Sequence, residues 1–95
     1  MEYKIDREGR VSLPEGLCAL SIGNGVRKIV WAQEEQRVFR LISADSIPDD
    51  VRVITGELNI TAEGRIFIPM VLRKKFAEVK TVQIYVKAKK LYIEF

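Results

Sequence analysis

At 95 residues the chain is long enough for one small domain, and its 47% hydrophobic and 31% charged residues are typical of a folded globular protein. There is no histidine and only one cysteine, which excludes the usual proton shuttle, zinc sites and Ser/His or Cys/His nucleophiles, so we expect no enzyme, cofactor or metal. No stretch approaches the roughly 18 apolar residues of a membrane span, and the acidic start predicts no signal peptide; a cytoplasmic protein is the default.

The net charge of +3 is distributed unevenly along the chain. Residues 1–44 carry seven basic and six acidic side chains, residues 45–57 carry one and four, and residues 58–95 carry eight and three. A small net charge alone is a weak indicator of a nucleic-acid partner. Its concentration in the last part of the chain is a stronger one.

Residues 1–44 predict a strand, a turn, a second strand, a short helix and a hairpin. Apolar residues alternate around Tyr3, Gly9 supplies the turn, and Pro14 closes the second strand and fits the first position of the helix. The run KIVWAQEEQRVFRLIS, residues 28–43, then alternates on both sides of a charged loop and predicts the hairpin.

Residues 45–57 predict an ordered crossover rather than a floppy linker. A turn at Pro48 is followed by Val51, Val53 and Ile54, which are apolar enough to dock against the remainder of the domain. We expect the carboxylates around this turn to be solvated, because they do not amount to a cation-binding ligand set.

Residues 58–95 repeat the first pattern. EGRVSLPEGL at 8–17 and EGRIFIPMVL at 63–72 agree at Glu, Gly, Arg, Pro and Leu with a constant offset of 55, and residues 81–95 predict a closing hairpin. Half-units of some 40 residues cannot cover their own strand edges. We therefore predict one mostly β domain, 1–95, in which repeat one (1–44) and repeat two (58–95) are ββαββ units that close into a pseudo-two-fold barrel across the 45–57 crossover.

The helix of repeat two is predicted to be amphipathic and basic. Leu72 and Phe76 share one side, which leaves Arg73, Lys74 and Lys75 on the other. Cations near the start of a helix oppose its dipole, so we interpret them as pointing to an anionic partner rather than as a merely solvated face.

The stretches DREGRVSLP and TAEGRIFIPMVLRKKF resemble the AbrB/MazE/SpoVT family of bacterial and archaeal DNA-binding domains, which includes the tandem-repeat MraZ proteins. The resemblance implies a swapped-hairpin β-barrel made by two repeats of one chain. It also implies that arginines of the two G-R turns, Arg10 and Arg65, and the helix residues Arg73 and Lys74 face DNA.

The two repeats depart from the family pattern in different ways. Asp6 supplies the family aspartate in repeat one, whereas Thr61 replaces it in repeat two, and the helix arginines of repeat one are Cys18 and Ala19. The two halves are therefore expected to contribute unequally to binding, which makes a perfectly palindromic target less expected.

These observations predict a sequence-recognising or general DNA-binding transcriptional regulator of AbrB/MraZ type, associated with the nucleoid. Its partner would be double-stranded DNA, contacted by Arg10, Arg65, Arg73, Lys74 and Lys75, with self-association into a homo-oligomer as a further expectation. If these five residues neutralise about four phosphates, log affinity falls against log salt with a slope of about −4.

Several alternatives stay open. Arg10 and Arg65 have a local interpretation, as partners of Asp6 or Glu8 and of Glu63, and Lys87, Lys89 and Lys90 are expected mainly to keep a hairpin tip soluble. A protein-interaction module such as a toxin-binding antitoxin ranks second, because we expect no toxin-wrapping tail after the last strand. A ligand-free barrel, natural or engineered, ranks third.

Overall fold

The computed structural model describes residues 1–23 and 25–95. The mostly β prediction is confirmed: the strands are short, alternating and rich in Val, Ile and aromatic residues, and within these two ranges they are interrupted by two short helices. In chain order the described elements are β1 (Glu2–Lys4), β2 (Arg10–Ser12), α1 (Glu15–Leu20), β3 (Lys28–Gln33), β4 (Val38–Ser43), β5 (Arg52–Val53), β6 (Leu58–Asn59), β7 (Arg65–Phe67), α2 (Met70–Lys75), β8 (Thr81–Lys87) and β9 (Lys90–Glu94).

The strands form two antiparallel sheets. A seven-stranded sheet has the order β1-β8-β9-β4-β3-β5, and β6 pairs with β3 beside β5. The second sheet is a ribbon of β2 and β7. Among the residues that the structure describes, the hydrogen-bonded ladders do not close these two sheets into a barrel.

Both predicted hairpins are confirmed. The β3–β4 hairpin spans residues 28–43, and the β8–β9 hairpin lies within 81–95, as the alternation indicated. The two hairpins also pair with each other, because β4 and β9 run antiparallel from Val38↔Glu94 to Leu41↔Leu91. This central pairing draws the two halves of the chain into one sheet.

One main core lies between the large sheet and the ribbon, and both halves of the chain contribute to it. Trp31 and Phe39 are fully buried there, with ring centres 6.2 Å apart in an edge-on arrangement. The Cα radius of gyration is 12.1 Å, against about 12 Å expected for a compact chain of this length. The buried residues of this core are Val11, Leu13, Ile29, Trp31, Phe39, Leu41, Ile66, Ile68, Leu72, Val82, Ile84, Leu91 and Ile93.

The crossover is ordered, as predicted. Val51 packs against a small apolar cluster on the outer side of β3, and Ile54 packs against the main core. The hydroxyl of Thr55 accepts a hydrogen bond of 3.0 Å from the Trp31 amide, which ties the crossover to β3. Val53 docks through its backbone, because it pairs with Ala32 in β3, but its side chain stays 38% exposed.

The helices are shorter than their apolar spacing suggested. Pro14 and Pro69 were predicted to be the first residues of the helices, but they occupy the N-cap positions, and each helix begins one residue later. Helix α2 ends at Lys75 and buries only Leu72. Phe76 packs against the core from the position just after the helix, so the predicted short amphipathic helix is confirmed only as far as Lys75, and its extension through Phe76 is wrong.

The tip of the β8–β9 hairpin carries backbone strain that one substitution should relieve. Ala88 and Lys89 form a two-residue turn, and both have positive φ, 52° and 62°, where asparagine and glycine are favoured. Lys89→Gly should therefore raise the free energy of unfolding by about 1 kcal/mol, measured by urea titration. The control Lys87→Gly removes one positive charge from a residue in regular β-strand conformation, and it should lower the free energy of unfolding by about 0.5–1 kcal/mol. Equal effects of the two variants would contradict the assignment of strain.

Candidate nucleic-acid interface

The outward side of the β2–β7 ribbon carries both turn arginines. Val11 pairs with Ile66, and both are buried, so the flanking residues of each strand point away from the core. Arg10 lies opposite Phe67, and its guanidinium carbon is 4.7 Å from the centre of the Phe67 ring. Arg65 lies opposite Ser12 at the other end of the ribbon.

The hydrogen bonds that hold the ribbon occur in matched sets. The Leu13 amide donates to the Gly64 carbonyl at 2.9 Å, and the Ile68 amide donates to the Gly9 carbonyl at 2.8 Å. Leu13 and Ile68 are 55 residues apart, as are Gly9 and Gly64. The carbonyl of each turn glycine therefore accepts a hydrogen bond from the strand that follows the other turn.

The two turns are stabilised by different side chains in equivalent positions. The Arg10 amide donates to the Asp6 carboxylate at 2.9 Å, and the Arg65 amide donates to the Thr61 hydroxyl at 3.0 Å. Thr61 thus accepts the same backbone hydrogen bond as Asp6, but it carries no charge. The sequence departure at position 61 preserves the turn.

Asp6 also connects the two strands of the ribbon. Its second oxygen lies 3.5 Å from the Arg65 guanidinium, while Arg10 pairs with Glu8 at 2.7 Å. Of the local pairings left open for these arginines, Arg10 with Glu8 is found, whereas Arg65 pairs not with Glu63 but with Asp6, which tertiary folding brings from the other half of the chain. The Arg65 side chain remains 45% exposed and that of Arg10 only 23%, which leaves Arg65 the more accessible of the two.

The Arg73 side chain of α2 lies directly over the turn of the first half. Its guanidinium occupies the space where a Cβ atom on Gly9 would be, and Gly9 itself has a φ of 80°. Gly64, at the matching position, also has positive φ, but a Cβ atom added there would have no neighbour closer than the Leu13 carbonyl oxygen at 3.9 Å. Gly9 is therefore required both for the turn and for the position of Arg73.

These contacts place cations from both halves of the chain on one continuous surface. A cleft between the first turn and α2 is lined by Arg73, Lys74 and Arg7, and a second cleft that includes Arg10 and Arg65 shares Arg7 with it. We call this the basic surface and define it by its cations: Lys4, Arg7, Arg10, Arg65, Arg73, Lys74 and Lys80.

Sequence reasoning missed Lys4, Arg7 and Lys80. Arg7 is the one described cation that lines both clefts. A signal was present, because the residue 55 positions later is the uncharged Ala62, so position 7 is another site at which the repeats differ in charge. The assignment of the basic charge to the second repeat alone is correspondingly incomplete.

Lys75 is the one predicted site residue that lines neither cleft. Its ammonium lies 5.6 Å from the centre of the Phe76 ring instead. The dipole interpretation is also wrong, because Arg73, Lys74 and Lys75 lie in the last turn of α2, where the partial negative charge of the helix end favours cations. The position of these residues on the helix therefore says nothing about an anionic partner.

The cleft at the matching position in the other half is not basic. It is lined by Glu15, Cys18, Arg27 and Glu63, with Cys18 where the first cleft has Arg73. Burial, followed by the charge of Glu15, raises the pKa of the Cys18 thiol, which keeps it protonated near neutral pH. The two halves were expected to contribute unequally to DNA binding, and their clefts do differ in charge.

Acid should selectively remove the contribution of Asp6 to stability. The Arg10 amide lowers the pKa of this carboxyl below its usual 3.8, assisted by the Glu8 amide and by Arg65 and partly opposed by burial. A lowered pKa means that the stabilisation is present above 3.8 and is lost as the pH falls through the folded-state pKa. Asp6→Asn should therefore be less stable than the wild type at neutral pH, with a difference that shrinks in acid; urea titrations across this range measure it, and a pH-independent difference would contradict the account.

The described residues contain no helix long and apolar enough to cross a membrane, and they bring together no group of three His, Cys, Asp or Glu side chains suited to a metal ion. No family model matches the chain, and neither the curated proteins nor the solved structures include a significant match.

Proposed function

We propose that the chain is a DNA-binding regulator of AbrB/MraZ type, built from two ββαββ repeats that form a pseudo-two-fold, swapped-hairpin barrel. The matched ribbon hydrogen bonds support the repeats, because residues 55 apart make equivalent bonds. The central β4–β9 pairing supports it as well, since it joins the second hairpin of each repeat. Repeat one is residues 1–44, the crossover 45–57 and repeat two 58–95.

The single observation that carries the DNA-binding proposal is the continuity of the basic surface. Seven cations line the two joined clefts, whereas three ion pairs are found among all described residues, and two of them, Arg10–Glu8 and Arg65–Asp6, lie on this surface. The other five cations, Lys4, Arg7, Arg73, Lys74 and Lys80, are in none of these pairs. Such a surface provides sequence-independent phosphate contacts, which supply most of the affinity of proteins for DNA.

The proposed division of labour follows from where each side chain lies. Arg73 is positioned over the Gly9 backbone, and Arg65 is held by Asp6 while much of its side chain remains accessible. Positioned arginines are suited to bidentate contacts with phosphates or guanine edges. Lys4, Arg7 and Lys74 would contribute less directional phosphate contacts, and the domain would act where DNA is, at the nucleoid.

A mobility-shift titration against random duplex DNA at several salt concentrations tests the proposal. Because about four phosphates are neutralised, log affinity should fall with log salt at a slope of about −4. A flat salt response would contradict the proposal. Light scattering on the same samples measures the mass of the complex; a single molecule of 31 × 28 × 23 Å offers a small footprint, so we expect more than one copy per complex.

A protein partner is the second candidate function. Three apolar side chains beside the basic surface are exposed, Phe67 at 44%, Met70 at 58% and Val71 at 61%. An acidic protein segment with apolar anchors would match both features. Stoichiometric copurification of such a partner without nucleic acid would favour this candidate, and its absence from nuclease-treated, purified samples would count against it.

A further inference from the structure

A small pocket that belongs to neither cleft of the basic surface lies at the end of the β4–β9 ladder. The last ladder pair is Leu41↔Leu91, and beyond it the chains separate around a space of about 160 Å³. The polar side chains that line this space come from β4, the crossover and the β8–β9 hairpin, and they are Arg40, Ser43, Ser46, Lys89 and Lys90, with Ser21 from the end of α1. No carboxylate is among its described lining residues.

The cations at this pocket are held in unfavourable arrangements. Lys87 and Lys90 are paired directly opposite each other across the hairpin, where like charges repel. Lys89 stands next to them in the left-handed backbone region, with a φ of 62°. Both features concentrate positive charge at one point of a turn that other residues would form more easily.

Arg40 adds a third unfavourable feature. Its Nε atom is buried and has no hydrogen-bond partner among the described residues. None of the three ion pairs in the described part of the chain includes Arg40, Lys89 or Lys90. A buried donor without an acceptor is costly, but Arg10 Nε and Trp31 Nε1 are buried in the same way, so what distinguishes this pocket is that none of its three cations is in an ion pair with another described residue.

We propose that this pocket binds a small anion of the phosphate class, either inorganic phosphate or the phosphoryl group of a small monoester. Such a dianion would lie between Lys89 and Lys90, reduce their repulsion with Lys87, and accept hydrogen bonds from Arg40. Serine hydroxyls suit a phosphate better than a carboxylate, because a tetrahedral group has more acceptor oxygens to satisfy. The size of the pocket suits a phosphoryl group. The pocket shares no lining residue with the basic surface, so it is independent of the proposed DNA contacts.

Amide NMR spectra recorded during titration with inorganic phosphate, and separately with glycerol phosphate, test the proposal at constant ionic strength in chloride. We expect saturable shifts at Ser43, Ser46, Lys89 and Lys90. Tighter binding of glycerol phosphate would identify a small monoester as the source of the group, and equal or tighter binding of inorganic phosphate would identify the free ion. Absence of saturable shifts at these residues with both compounds would overturn the proposal.

Two variants test whether the phosphate-induced shifts come from binding in this pocket. Lys89→Gly combined with Lys90→Gln should weaken phosphate binding at least tenfold while raising stability in chloride, because strain and repulsion are both removed. The control, Arg73→Gln combined with Lys74→Gln, removes two charges from the basic surface and should leave phosphate binding unchanged. Unchanged affinity in the pocket variant, or loss of the shifts in the control, would overturn the proposal.

Discussion

Replacing Arg65, Arg73 and Lys74 together by alanine should weaken binding to duplex DNA about a thousandfold, because three charge-assisted contacts of roughly 1.5 kcal/mol each are lost. The salt slope should fall with them, from about −4 to about −1, since each phosphate contact contributes about one unit. Fluorescence anisotropy with a labelled duplex measures both quantities.

A matched variant separates this surface from a general effect of charge. Replacing Lys87, Lys89 and Lys90 by alanine removes the same number of positive charges, but from the hairpin tip, which lies outside the two clefts. This variant should retain most of the affinity and most of the salt slope. Equal losses in the two triple variants would mean that net charge alone, and not the basic surface, is responsible for binding.

Gly9→Ala and Gly64→Ala should have similar effects on stability and different effects on DNA binding. Both glycines have positive φ, 80° and 78°, so each substitution should cost about 1–2 kcal/mol in unfolding free energy. Only the Cβ at position 9 meets the guanidinium of Arg73, which is the mobile end of a long side chain and will move. Loss of that positioned contact should reduce affinity for DNA about tenfold in Gly9→Ala alone.

Urea titration and anisotropy on the two variants provide the comparison. Each variant serves as the control of the other, because the backbone change is the same. If Gly64→Ala weakened DNA binding as much as Gly9→Ala, the position of Arg73 would not be what matters. A much larger loss of stability in Gly9→Ala would instead show that Arg73 cannot move away.

The local elements were largely predictable, because they depend on patterns that neighbouring residues impose. The hairpin at 28–43 follows from strict alternation on both sides of a charged loop, and its inward residues form the core. The helices were overestimated, since apolar spacing continues through Phe76 after the helical backbone has ended. A residue that packs from beyond a helix end produces the same spacing as one within it.

The composition of the basic surface was only partly predictable. Glu63, two residues away, was the local partner considered for Arg65, but the partner found is Asp6, which is close only after β2 and β7 have paired. The contact between Arg73 and Gly9 likewise joins residues from opposite halves of the chain. The repeat offset identifies equivalent positions, but it does not tell which turn a given helix will face.

Amide NMR mapping with duplex DNA tests most directly whether the first turn and α2 form one DNA-binding surface. The account predicts that the largest shifts fall together on Arg7, Gly9, Arg65 and Arg73, with matching positions in the other half much less affected. Shifts confined to α2, shifts centred on the β8–β9 hairpin tip, or no shifts at low salt would contradict it.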